Sequence, residues 1–345
     1  MIRRYWPALL VLALAIAAGL AVVAVRSGSD HQLAAKRKVT FQLQWIPSAQ
    51  FLGFYAAREL GYYAEEQLDV DFLHGGDTVN PITQITSGKA HLGLATGDQV
   101  VLWSSKNDDP NVDLKALGTV FRRNLARFMS YEEKAIKNPA QLVGKRVGVY
   151  PTYDTDNLLR VLLKRHGIAA DRLTIISFPN ILQFERGELD AFPAYVINEP
   201  VLVRQRGKSV HLLDPEEFGV RFYSDTVITK AQYHRDERDT LERFLRASAR
   251  GWTLAEEDRD AALNAMFRQV GTTIGPGQPW EHQRAVAAET VKHLHSGAHD
   301  QVFSMDRSRW EDMEAALHEI GPLKRRVNID SLCDFDIAPR AIKRR

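Results

Sequence analysis

The chain has 345 residues, of which 45% are hydrophobic and 26% charged, a composition that fits a globular body large enough for two domains. A net charge of +2, with no basic block beyond the short runs Lys324 to Arg326 and Lys343 to Arg345, excludes nucleic acid as a partner. Cys333 is the one cysteine, so an intrachain disulfide is excluded and a catalytic-cysteine reading has no motif behind it.

The amino terminus departs from this pattern. Arg3 and Arg4 precede an apolar run from Tyr5 to Val25 that ends at Arg26 and the polar sequence SGSD. A basic flank, an apolar centre and small residues around Ala21 to Ser29 describe an export signal over residues 1–29. The run also reaches the roughly 20 residues that cross a bilayer, so cleavage and retention as a membrane anchor over residues 5–25 both stay open. Either way the arginines stay on the cytoplasmic side and the body is exported. No cysteine stands at the end of the run, so a bacterial lipid anchor is not expected.

Val39, Phe41, Leu43 and Trp45 alternate as in a half-buried strand, and Pro47, which cannot donate to a sheet ladder, ends it. From Gln50 to Glu66 the apolar residues recur at helical spacing, interrupted at Gly61, and Leu68, Val70 and Phe72 resume a strand. In an open α/β sheet the turn between such a strand and helix lies where ligands bind. Trp45, Gln50, Phe51 and Tyr55 therefore predict an aromatic pocket for a flat polar molecule. The segment HGGDTVN (74–80) is a turn with a glycine pair, open either to phosphate or to a plain entry into the helix Pro81 to Ser87, although no complete phosphate-loop motif accompanies it. Ala90 to Leu94 is a short strand, and Thr96 or Asp98 would cap a second helix facing the same opening, with Gly97 between them.

The pattern W-x-P, then G-F-Y-A-A, then G-Y-Y-A-E-E-Q-L-D-V, followed by Gly75-Gly76 and the run SGKAHLGLATGDQ (87–99), resembles the periplasmic solute-binding proteins related to thiamine-pyrimidine synthase. That family includes binding proteins for formylaminopyrimidine, with relatives for sulfonates and riboflavin, and the resemblance covers roughly residues 38–260. It implies an α/β, type II periplasmic-binding-protein fold, with two α/β lobes joined by a two-strand hinge. The expected boundaries are 38–120 for the first part of lobe 1, 121–221 for lobe 2, 222–330 for the return part of lobe 1 with the C-terminal helices, and 331–345 for a polar tail.

The second half of the chain is read on that pattern. Leu114 to Arg122 begins the crossing, with Phe128 to Tyr131 expected to pair with it. Val147 to Asp156 repeats the strand, proline, polar turn and helix of the opening, so Thr152, Tyr153 and Asp154 become ligand candidates, against helix capping by the same Asp and Thr residues. Pro200 starts a helix at its first turn and leaves Tyr195, Asn198 and Glu199 at the mouth of the cleft. A carboxylate beside an amide can read a ring that shows both donors and acceptors. Phe218 to Ile228 is the return crossing, with Tyr223 and Asp225 at the hinge. Helices over 236–256, 261–270 and 281–295 would pack on the first lobe, and 308–320 makes a last amphipathic helix. His293, His295 and His299 lack a cysteine or carboxylate frame for a metal, and no cofactor is expected.

The resemblance thus implies a monomeric, extracytoplasmic solute-binding protein of an ABC importer, closing on a pyrimidine thiamine precursor or a riboflavin-like ring and docking on a permease in the inner membrane. A tethered ligand sensor of the same fold is one alternative. The other is a thiamine-pyrimidine-synthase-like enzyme, but Phe51 stands where that enzyme has a histidine, and its cysteine-rich segment has no counterpart here. Arg122, Arg123 and Arg127 keep an anionic ligand open.

Overall fold

The computed structural model describes residues 35–343 apart from 77, 110–111, 152–153, 272–273, 275–278 and 296–300. The expected export signal or anchor therefore lies outside the described residues. Among those described, no helix is long and apolar enough to cross a membrane.

β1 (Arg37–Gln42) carries the Val39 and Phe41 alternation and stops two residues before the chain bends at Gln44. Ser48 receives the N–H of Gln50 on its side chain (3.3 Å) and opens a short 3-10 turn, Ala49–Phe51, which leads into α1 (Leu52–Glu59). β2 (Leu68–Leu73), β3 (Leu92–Ala95), α2 (Gly97–Lys106) and β4 (Leu114–Thr119) follow. The chain then crosses through 120–125 to β5 (Ala126–Tyr131), β6 (Arg146–Val149), α3 (Asp154–Arg165), β7 (Thr174–Ser177), β8 (Phe192–Tyr195), α4 (Glu199–Gln205) and β9 (Val210–Leu213). It returns through 214–225 to β10 (Thr226–Lys230), and helices α5 (Arg238–Glu257), α6 (Arg259–Val270), α7 (Trp280–Lys292) and α8 (Arg307–Ile320) complete most of the rest.

The first sheet has the order β2-β1-β3-β10-β4; the second part holds a sheet β8-β5-β9 and the parallel pair β6-β7. Backbone bonding of Gly148 to Ala191 (2.9 Å) ties that pair to the strand entering β8. The mixed α/β architecture and the two crossings match the expected fold. One expected pairing does not occur: β5 bonds to β8 and β9, not to β4. The Val120 N–H is held by the Asp225 carbonyl (2.8 Å), so the chain leaves the first sheet there, and the place beside β4 goes to β10, antiparallel to both β3 and β4.

A group of aromatic rings runs through the core under the first sheet. Phe41 lies 4.8 Å from Phe54 and 5.0 Å from Phe244, and Phe54 meets the edge of Trp252 at 5.6 Å; such pairs add about 0.5–1.5 kcal/mol each beyond their buried area. The glycine of the G-F-Y-A-A motif is a packing residue. A Cβ on Gly53 would fall 2.2 Å from the Trp252 ring, and one on Gly251 only 2.0 Å from the Gly53 carbonyl oxygen. α1 and α5 therefore touch nearly backbone to backbone.

The carboxyl end is not the expected polar tail. Cys333 bridges to Ala116, and a last helix, α9 (Ile337–Lys343), buries Ile337, Ala338 and Ala341. Burial alone would raise the Asp334 carboxyl, but hydrogen bonds from His234 (2.7 Å) and Arg238 (2.6 Å) hold it well below the usual carboxylate range. A stretch with apolar residues every three or four positions finds partners even though charged side chains lie between them.

Candidate functional site

One cavity is lined by Gln44, Trp45, Gln50, Tyr150, Pro193, Tyr195, Asn198 and Glu199 and holds about 90 Å³. Its first wall is the bend after β1. Gly75 secures that bend: its N–H donates to the Trp45 carbonyl (2.9 Å), and a Cβ there would lie 2.4 Å from the Gln44 carbonyl carbon. The glycine pair thus serves a turn pressed against the Trp45 backbone. The start of the next helix is held from far along the chain, because the Ala49 N–H donates to Oε1 of the buried Gln283 on α7 (2.7 Å).

The second wall comes from the ends of β6 and β8. Glu199, at the first position of α4, accepts the Tyr195 N–H on Oε2 (2.8 Å) and Asn198 Nδ2–H on Oε1 (3.0 Å). Burial pushes its carboxyl up, partly offset by these donors. Asn198 is itself steadied by His282 of α7, whose Nε2 meets Oδ1 at 2.9 Å. Tyr150 stands on the end of β6, its hydroxyl donating to the Pro179 carbonyl (2.6 Å). No lysine or arginine is among these lining residues.

Beneath the cavity lies a polar layer with Asp225 at its centre. Gln44 Nε2 and Gln50 Nε2 donate to its two oxygens (2.6 and 2.8 Å), and Ser224 donates to one of them (3.1 Å) while also meeting the Tyr195 hydroxyl (3.3 Å). Asp98 on α2 takes a hydrogen bond from Asn157 of α3 (2.5 Å), and Asp154 on α3 takes one from Asn124 of the first crossing (2.7 Å). All three carboxylates are fully buried. Burial pushes Asp225 up to about 6. It raises Asp98 as well, and raises Asp154, which the neighbouring Asp98 charge lifts further.

Of the residues expected at the site, Trp45, Gln50, Tyr195, Asn198 and Glu199 meet around this cavity. Thr152 and Tyr153 lie outside the described residues. The other six are elsewhere. Phe51 is fully buried in the first core, and Tyr55 packs edge-on against Phe72 (5.4 Å). The Gly97 N–H is spent on the Tyr223 carbonyl (3.0 Å). Asp98 and Asp154 serve the layer beneath, and Tyr223 packs on Trp310 (5.6 Å) while its hydroxyl accepts the Asp306 N–H (2.7 Å). Helical periodicity points Phe51 and Tyr55 to the inner face of their helix, which the core claims before a ligand can.

Gln44, Tyr150 and Pro193 were missed. Strand alternation places Gln44 on the face opposite Trp45, but β1 ends at Gln42, and the bend turns both side chains to the same space. The arginines that kept an anionic ligand open are committed elsewhere: Arg122 to Asp306 (2.6 Å), Arg127 to Asp214 (2.8 Å), and Arg123 to both Asp214 (3.1 Å) and Glu216 (3.3 Å). Among the described residues no group of three or more His, Cys, Asp or Glu could hold a metal ion; His295 pairs with Glu256, and His299 lies outside the described residues.

Residues 48–262 match the family model described as NMT1/THI5 like. The formylaminopyrimidine-binding protein of Halalkalibacterium halodurans is 29% identical over 253 residues, 72% of this chain and 74% of its own. The riboflavin-binding protein RibY of Chloroflexus aurantiacus is 25% identical over 239 residues, 67% of this chain and 66% of its own. Among solved structures, the periplasmic aliphatic sulphonate binding protein SsuA of Escherichia coli superposes with a TM-score of 0.66 at 14% identity, covering 86% of this chain and 91% of its own, a likeness of fold alone. The chain belongs to the NMT1/THI5-like family and has the α/β periplasmic-binding-protein fold.

Proposed function

We propose that this protein is the extracytoplasmic solute-binding component of an ABC importer and that it captures a small planar heteroaromatic of the pyrimidine class. The observation that carries this is a single cavity with the Trp45 indole on one wall and the Glu199 carboxylate on the other. Rings of Trp45, Tyr150 and Tyr195 offer stacking faces, and Glu199 with the glutamines offers acceptors for ring or exocyclic N–H groups. A sulfonate would need a cation or free amide donors; no lysine or arginine is among the described lining residues, and the NH₂ groups of Gln44, Gln50 and Asn198 are already donated to Asp225 and Glu199. The similarity to a formylaminopyrimidine-binding protein supports the pyrimidine reading, and the similarity to a riboflavin-binding protein keeps flavins in the comparison. Size separates the two. The cavity of about 90 Å³ is below the roughly 150 Å³ of an engineered cavity that takes benzene, so a single ring needs only a small opening and a three-ring flavin a large one.

Closure of two α/β parts about two crossings would bury the solute and form the surface read by a membrane permease. The names of the relatives favour binding over catalysis, and the position expected to carry the enzyme's histidine is the fully buried Phe51. The test is a thermal-shift panel of aminopyrimidines, flavins and sulfonates, since a ligand that binds only the folded chain raises its midpoint. Aminopyrimidines should give the largest shift, and both Trp45→Ala and Glu199→Ala should abolish it. An unchanged shift in both variants would place the ligand elsewhere.

A further inference from the structure

We propose that Asp225, which does not line the cavity, sets its hydrogen-bonding polarity: it makes Gln44 and Gln50 present carbonyl oxygens to a ligand, and so selects rings that donate at their edge over rings that accept. This rests on reading the cavity as the ligand site.

An ionised carboxylate has acceptors only, whereas a glutamine amide has an oxygen that accepts and a nitrogen that donates. Asp225 Oδ1 takes Gln44 Nε2–H (2.6 Å) and its Oδ2 takes Gln50 Nε2–H (2.8 Å). Turning either amide over would set oxygen against oxygen inside a fully buried site, so one side chain fixes two orientations. The consequence is visible at Gln44, whose Oε1 is buried at the cavity wall without a hydrogen-bond partner. Buried acceptors are rarely left unmet, and a ligand N–H is the partner this one lacks. Glu199 adds a second acceptor from the opposite wall.

Among the described residues no positive charge is hydrogen-bonded to Asp225 to weaken this control. Ser224 donates to it (3.1 Å) and also reaches the Tyr195 hydroxyl (3.3 Å), and the acidic neighbour of Asp225 is Asp154 of α3, which in turn feels Asp98 of α2. Asparagine at 225 would keep the shape but replace one acceptor oxygen with an NH₂. That group must face an oxygen, so one glutamine turns over and offers the cavity a donor instead.

The experiment uses the whole chain with 4-aminopyrimidine and 4-methylpyrimidine, probes of equal heavy-atom count of which only the first carries an N–H donor. Wild type should favour 4-aminopyrimidine about tenfold or more, and Asp225→Asn should bring that ratio close to one. Gln44→Met, close in volume, should lower the ratio without creating a donor, which covers the case in which Asp225→Asn does not fold. A readout without ligand accompanies these: nitrogen–proton spectra of the Gln44 and Gln50 side-chain amides should show slowed exchange for both in wild type and for one only in Asp225→Asn. Amide signals that do not change with Asp225→Asn, or a ratio unmoved in both variants, would overturn the proposal. If no pyrimidine binds wild type, the ligand reading of the cavity fails and the selectivity falls with it, while the amide spectra still decide whether Asp225 orients the two glutamines.

Discussion

The molecule contains two strand, proline and helix openings, around Pro47 and Pro151, and it uses them differently. At the first, the bend after β1 turns Gln44, Trp45 and Gln50 to the cavity. At the second, polar residues just as favourable on paper are spent inside. The Thr155 hydroxyl accepts the Tyr150 N–H (2.8 Å), Asp154 is tied to Asn124 (2.7 Å), and Asn157 reaches across to Asp98 (2.5 Å). Among the described residues of that opening only Tyr150 faces the cavity. The same local pattern becomes a cavity wall in one place and a fastening between the two halves in the other. The neighbours decide, because a buried carboxylate or amide must find a partner before it can serve a ligand.

The largest way to break this contrast is to deform the first opening. Gly75→Ala forces a methyl group to within 2.4 Å of the Gln44 backbone, and it should lower stability by about 3 kcal/mol and abolish the ligand-dependent thermal shift. Urea denaturation and the aminopyrimidine panel would read the two effects. A fully retained shift would mean that the Trp45 bend does not shape the site.

A middle-sized effect comes from the carboxylates of the second opening. Asp154 is raised by burial and by Asp98, so the folded chain takes up its proton more readily than the unfolded chain. The stability linked to this group is complete below the ordinary aspartate range near about 4 and is lost as pH rises through the elevated folded value. Asp154→Asn should therefore gain stability relative to wild type at pH near 8 and lose that advantage near 5. The comparison between variants isolates the group, since His282 and His293, which burial pushes down, act in the opposite direction in the same window. A difference between the two forms that does not change with pH would show that Asp154 titrates as an ordinary carboxyl.

The smallest effect sharpens the contrast. Thr155→Ala removes the bond to the Tyr150 N–H, and it should cost about 1 kcal/mol while leaving the ligand-induced shift intact. If calorimetry instead showed affinity falling as far as in Trp45→Ala, Thr155 would belong to the ligand wall.

Much of the fold was legible because it rests on local rules. Alternation at Val39 and Phe41, the stop at Pro47, the helical spacing of Phe51 and Phe54, and Pro200 in the first turn of α4 all report contacts within a few residues. Five of the eight described cavity-lining residues were legible for the same reason: Trp45, Gln50, Tyr195, Asn198 and Glu199 sit at ends of elements, where side chains can face a gap. The pairing of β5, the burial of α9 and the assignment of Tyr55, Asp98 and Tyr223 to other tasks were not legible, since each depends on residues far away in the chain.

By itself, then, the order of residues determined the elements, the repeated opening and the kind of side chain gathered near a cleft, because periodicity and turn chemistry act over one or two turns of chain. Only the tertiary structure decided which polar groups are spent. Gln283 caps a helix start 234 residues away, and Gln44 meets Asp225 across 181. A hydrogen bond between such partners exists only once packing has brought them together, and it is the bond to Asp225 that spends the Gln44 NH₂ and leaves its oxygen at the cavity wall.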